Sequence, residues 1–205
     1  MNQKRKYIIE NLFADNFIEP ESAIILLEEK EDSGRSLLEI QLNKEDNLSI
    51  KNVDAKNTNM YYFKNDKALS MYKRVDHIIF EHVSENDWKL HLIEMKSSVG
   101  RKKWNEIKGK FRASYLWAQG IAAMLDMNIV DTHMYTSYEK VQLEVSGTMP
   151  SERRMSVGEY FEKPEDEWDG GKFALNFGTR FSFEHTPLQI IRNEENILTG
   201  KHVLG

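Results

Sequence analysis

The chain has 205 residues, of which 40% are hydrophobic and 30% charged, with a net charge of −5 and no cysteine. That balance excludes a disordered polyelectrolyte, and the missing thiols exclude disulfides and thiolate metal sites. The acidic total weighs against a protein that coats nucleic acid indiscriminately. No run reaches the roughly 18 apolar residues of a membrane span, and the start, "MNQKRKYIIENLF", lacks the apolar segment of a secretory signal. The expectation is one domain, in the cytoplasm, with no membrane partner.

Residues 4–13 read as a short helix with Ile8, Ile9, Leu12 and Phe13 on its apolar side. "AIILLEE" and "SLLEIQL" flank the turn-rich "KEDSG" and read as a hairpin, because Leu38, Ile40 and Leu42 alternate. The competing reading is a helix starting at Pro20. "NLSIKNV" is a third strand candidate, and residues 54–67 read as a polar loop with a short element around "MYYF". "RVDHIIFEHV" and "WKLHLIEMK" form a pair of strands across "SEND". Leu90 and Leu92 point to one face and Ile93 and Met95 to the other, so this strand is expected to be covered on both sides.

Residues 101–127 carry the strongest helical period, with Trp104, Ile107, Phe111, Ser114, Tyr115, Ala118, Ile121, Ala122 and Leu125 in step. Gly109 and Gly120 either weaken this helix locally or permit close packing. "NIVDTHMYTSY" follows as a strand. "SVGE" has the form of a capping box, Ser156 to Glu159, and "KPEDEWDGG" reads as an acidic loop. Phe173, Leu175, Phe177, Phe181 and Phe183 share one strand parity, in one long strand or in two meeting at Gly178.

Charge is unevenly spread. Residues 96–112 sum to +6 and the remainder to −11, so a basic ridge lies on an acidic body, suited to phosphates. The pattern acidic-x-Lys occurs at Glu28/Lys30, Asp54/Lys56, Glu94/Lys96 and Glu106/Lys108. Only Glu94/Lys96 closes an apolar strand, and only that strand follows another bearing an acid, Asp76. Strand alternation puts Glu94 and Lys96 on one face, and the neighbouring strand can bring Asp76 beside them. Two converging carboxylates repel unless a hard divalent cation joins them. Mg²⁺ would accept both, together with the backbone carbonyl of Met95 and phosphate oxygens. Lys96 could then orient water or neutralise developing charge. The alternative is a partly buried ion-pair cluster, which leaves the second carboxylate needing a donor.

Asp76 followed by Glu94-Met95-Lys96 in a hairpin, then a helix and a strand, resembles the PD-(D/E)XK nuclease superfamily over roughly residues 70–140. Val75 stands where proline often precedes the aspartate. The resemblance implies an α/β (mixed α+β) fold with a restriction-endonuclease-like core: a central mixed sheet flanked by helices, with an N-terminal hairpin and C-terminal strands added. It implies a Mg²⁺- or Mn²⁺-dependent endonuclease acting on nucleic acid, with DNA the expected substrate. Asp76 and Glu94 would be metal ligands and Lys96 the catalytic lysine.

Lys108, Arg112, Tyr115 and Gln119 form one stripe on the following helix. Many members of the superfamily turn such residues toward the active site, so Lys108, Arg112 and Gln119 are substrate-binding candidates; a solvated helix edge is the alternative. A further acid often comes from the N-terminal region, where Glu10, Glu19 and Glu21 are candidates, with Glu81 a same-strand alternative. His77 points away from Asp76 by parity, and the other histidines lack zinc-ligand spacing. A homodimer is one arrangement that would serve double-strand cleavage. The competing function is a non-catalytic nucleic-acid- or protein-binding assembly protein on a nuclease-like fold.

Overall fold

A computed structural model describes residues 2–31, 34–54, 63, 69–143 and 163–204. The expected capping box at Ser156–Glu159 and most of the loop around "MYYF" lie outside the described residues.

Alternation along two strands sets the layers. Strands β5 (His77–Ser84) and β6 (Asp87–Met95) pair antiparallel, with Ile78 opposite Leu92 and Phe80 opposite Leu90. Those four side chains enter one core, under helix α2 (Arg101–Met124), which contributes Trp104, Ile107, Phe111 and Ala118. The intervening Ile79, Ile93 and Met95 enter a second core on the opposite face. Strand β6 is thus covered on both sides, as its continuous apolar run implies.

The fold is mixed α/β with few helices. Among the described residues, seven strands form the large sheet in the order β1-β4-β5-β6-β8-β11-β10. Its members are β1 (Glu19–Glu21), β4 (Asn47–Ile50), β5, β6, β8 (Asn128–Tyr138), β10 (Lys172–Asn176) and β11 (Arg180–Gln189). β8 lies parallel to β6 and to β11, while the other neighbours run antiparallel. α2 is therefore the crossover between two parallel neighbours, β6 and β8, and its start is held next to the end of β6.

A four-stranded sheet covers the other face. It comprises β2 (Ile24–Glu31), β3 (Gly34–Gln41), β12 (Ile191–Arg192) and β13 (Leu198–Val203), in the order β12-β13-β3-β2. Ile25, Leu27, Leu38, Ile40 and Leu198 from this sheet pack against Ile79, Ile93, Met95, Tyr135 and Leu188 of the large one. A short parallel pair, β7 (Ser98–Gly100) with β9 (Lys140–Gln142), leads into α2.

The N-terminal hairpin forms as expected, with Leu27 opposite Leu38, so the reading of a helix from Pro20 is set aside. The third strand, β4, joins the large sheet instead of extending the hairpin. The aromatic-rich segment folds as two strands, β10 and β11, turning at Gly178 with φ +93°.

Two expectations need correction. "KPEDEWDGG" contains helix α3 (Pro164–Asp169), with Pro at its start and Glu165, Asp166 and Glu167 in its first turn, where both the proline ring and acidic charge suit a helix N-terminus. Helix α1 (Gln3–Leu12) forms, but Leu12 is exposed. Ile8, Ile9 and Phe13 pack on the core as expected, and a buried cation adds to their hold: Arg5 donates to the carbonyls of Leu125 (3.0 Å) and Asp126 (3.1 Å) and lies over the Trp88 ring. Among the described residues no helix is long and apolar enough to cross a membrane.

Candidate active site

Asp76 immediately precedes β5, and Glu94 lies one residue from the end of β6. Both share the parity of Ile78 and Leu92, so both face α2, where the apolar core gives way to a cleft of about 360 Å³. The cleft is lined by Asp76, Glu94, Lys96 and Lys110, with Glu29, Asp54, Lys103, Glu106 and Ile107 around them. α2 is locked against this edge because Ser114 Oγ accepts the Val75 N–H at 2.9 Å, one residue before Asp76.

Two lysines hold the two acids. Lys96 Nζ stands 3.0 Å from Glu94 Oε1 and 3.7 Å from Asp76 Oδ2, and it donates to the Met95 carbonyl at 2.7 Å. Lys110 Nζ comes from α2 and stands 2.7 Å from Glu94 Oε1 and 3.6 Å from Asp76 Oδ1. Asp76 is oriented by the backbone, its Oδ2 accepting the Met95 N–H at 2.6 Å. Glu94 Oε2 is buried with no hydrogen-bond partner among the described residues. Such an orphaned oxygen is costly when charged. Burial, and then the neighbouring Asp76 carboxylate, push the Glu94 carboxyl up to about 7 against the pull of the two lysines. Burial lowers the Lys110 ammonium, but Glu94 and Asp76 outweigh it and hold the group above its ordinary value.

The donors available here are oxygens: Asp76 and Glu94 carboxylates and the Met95 carbonyl. These are hard ligands of the kind Mg²⁺ accepts while retaining several waters. No cluster of three or more acidic, histidine or cysteine side chains fit to hold a metal occurs among the described residues. The chain thus offers two acids and a carbonyl, with Glu29 and Asp54 farther out on the cleft wall.

A second groove, of about 340 Å³, adjoins the first and shares Glu106 and Lys110 with it. Ser70, Lys73, Lys102, Asn105, Gly109 and Arg112 complete its lining. α2 begins here with Gly100 as its cap, no side-chain cap bond and no acid in its first turn. Lys102 and Lys103 therefore sit at the positive end of the helix dipole, a placement that an approaching anion relieves, while Arg101 beside them is paired with Glu165 at 2.6 Å.

The residues expected on this helix divide. Arg112 lines the basic groove. Lys108 turns to α3 and pairs with the buried Glu167 at 2.8 Å, an acid that also accepts from Trp104 Nε1 at 2.7 Å. Tyr115 packs on Phe177 and Phe183. Gln119 is half-buried and lines neither groove. The helix residue that does reach the acids, Lys110, was not anticipated. Its signal was a lysine three residues after Ile107 and four before Ser114, both on the buried face.

The candidate third acids lie elsewhere. Glu10 pairs with Lys6 on the exposed side of α1, and Glu19 and Glu21 pair with Lys51. Glu81 faces the small sheet and bonds His91 at 3.0 Å. His77 points away from the site and is fully buried, and burial lowers its imidazole to about 3, so it stays neutral. No family model, no curated protein and no solved structure matches the chain.

Proposed function

We propose that the chain is a Mg²⁺- or Mn²⁺-dependent nuclease of the PD-(D/E)XK kind, hydrolysing phosphodiester bonds in DNA. The observation that carries this reading is the convergence of Asp76, Glu94 and Lys96 on one cleft, with a buried oxygen of Glu94 left without a partner among the described residues. A bound divalent cation would supply Lewis-acid stabilisation of the phosphoryl oxygens and lower the pKa of water. Asp76, Glu94 and the Met95 carbonyl would hold it.

The remaining work falls to the chain's own groups. The Met95 N–H fixes Asp76 in one rotamer, so that Oδ1 is presented to the cleft. Lys96 is tethered to the Met95 carbonyl and stays beside both acids, where its ammonium can orient an attacking water or offset charge on the cleaved phosphate. Lys73, Lys102 and Arg112 supply cationic contacts for the flanking phosphates, and the α2 N-terminus adds its dipole.

One observation favours a second reading, a non-catalytic nucleic-acid- or protein-binding protein on the same fold. With both acids ionised, Lys96 and Lys110 match their charge, so the cluster needs no metal to be neutral. The two readings separate in an assay of supercoiled plasmid and single-stranded DNA with Mg²⁺ or Mn²⁺. The nuclease reading expects cleavage that disappears in Asp76→Ala, Glu94→Ala and Lys96→Ala. Binding without metal-dependent cleavage, or cleavage undiminished in those variants, supports the second reading or removes this site from the chemistry.

A further inference from the structure

Among the described residues, Lys110 is the one side chain common to the acid cleft and the basic groove that also touches both acids. Its single ammonium spans Glu94 Oε1 and Asp76 Oδ1, the bridging position a cation between the two carboxylates would take. We propose that Lys110 is a resident counterion of the acid pair, and that a divalent cation loads by displacing its ammonium from Glu94 and Asp76 into the adjoining groove. This rests on the reading of Asp76 and Glu94 as metal ligands.

Charge and tethering decide which lysine leaves. With a dication present, two ammonium groups would place four positive charges against two carboxylates, and like charges a few ångströms apart in a partly buried site repel strongly. Lys96 is held by a 2.7 Å bond to the carbonyl of its chain neighbour Met95, and that oxygen has a second lone pair left for the cation. Lys110 has no such bond to the strand; among the described contacts its ammonium is held by the two acids alone. Its long stem has four rotatable bonds, and a cavity of about 340 Å³ opens on its other side, lined by Ser70, Asn105 and Glu106 as well as by cations. The Ser114 to Val75 bond keeps the backbone of α2 in place while the side chain moves. In the groove the displaced ammonium joins Lys73, Lys102 and Arg112, so loading the metal also adds a cation to the surface that meets a phosphate backbone.

The test is calorimetric titration of Mn²⁺ into the full chain, with metal-free thermal denaturation beside it. Lys110→Gln removes the competing charge and is expected to tighten Mn²⁺ binding about tenfold or more, while lowering the melting temperature in EDTA. Lys110→Met, which keeps the apolar stem, is expected to do the same and serves if the glutamine variant folds poorly. Lys110→Arg keeps the charge and is expected to bind Mn²⁺ no more tightly than the wild type. Glu94→Gln abolishes binding in every background. A lysine that is merely structural would lower stability without tightening the metal. Mn²⁺ affinity that depends on Glu94 but is unchanged or weaker in Lys110→Gln and Lys110→Met overturns the displacement and leaves the metal site standing. No Glu94-dependent binding in any variant overturns both.

Discussion

Strands β5 and β6, with the residue that precedes β5, place buried acids on both faces of the large sheet. On the α2 face, Asp76 and Glu94 lie within reach of the same two ammonium groups, and Glu94 keeps an oxygen with no partner among the described residues. On the small-sheet face, Glu81 accepts the Asn43 N–H at 3.1 Å and bonds His91 Nε2 at 3.0 Å, while His91 Nδ1 meets the Tyr135 hydroxyl at 3.2 Å. Burial raises the Glu81 carboxyl, but the bonds from His91 and Asn43 outweigh it and leave the group below its ordinary value. Burial alone therefore does not mark a functional acid. The difference lies in satisfaction: Glu81 has both carboxylate oxygens bonded within the protein, and Glu94, a residue of the cleft, keeps one buried oxygen unbonded among the described residues.

The comparison breaks most visibly in catalysis. Glu94→Gln is expected to reduce metal-dependent plasmid cleavage on the order of 10²–10³-fold, whereas Glu81→Gln leaves the rate per folded molecule unchanged. Equal losses in both variants would erase the distinction. In stability the ranking inverts. His91→Ala strands the buried Glu81 carboxylate and is expected to cost about 3 kcal/mol in urea denaturation at neutral pH, with cleavage by the folded fraction retained.

A third contrast is in pH. The Glu94 carboxyl is raised to about 7 when folded, so protonation favours the native state. That stabilisation is fully present below the unfolded carboxyl value, near pH 4.5, and is lost as pH rises through 7. Metal-free protein should therefore lose about 3 kcal/mol of stability between pH 5 and 8, and Glu94→Gln should flatten that slope. Glu81 has the opposite shift, so its contribution is present above its unfolded value and lost as pH falls through the lowered folded one. A wild-type profile that rises over pH 5–8 and does not respond to Glu94→Gln would contradict this assignment. The smallest effect expected is in phosphate contacts. Lys73→Glu with Lys102→Glu should weaken oligonucleotide binding roughly tenfold and reduce the salt-dependence slope by about 2, measured by fluorescence anisotropy at several salt concentrations.

What the sequence made legible follows from period. Alternation placed Leu90 and Leu92 opposite Ile93 and Met95 and put Asp76, Glu94 and Lys96 on one face, and the 3.6-residue repeat located α2 with Trp104, Ile107 and Phe111 inward. What stayed hidden depends on contacts between distant segments. Lys108 meets Glu167, 59 residues away, and nothing in the helix stripe signals that partner. The parallel pairing of β13 with β3 joins the two ends of the chain and follows from no local pattern. α3 was masked by its own charge density, although Pro164 and the three acids after it are helix-start signals. Lys110 lies off the stripe of Lys108, Arg112, Tyr115 and Gln119, and only its contacts with Glu94 and Asp76, both outside α2, mark it as part of the site.

On the proposed function, Asp76 and Glu94 share a divalent cation. Anomalous diffraction from crystals soaked in Mn²⁺ tests it most directly. The expected result is a manganese peak about 2.1 Å from a carboxylate oxygen of each acid, with Lys110 Nζ withdrawn from Glu94. Crystals in which manganese binds elsewhere, or not at all, while both lysines remain on the acids would contradict it.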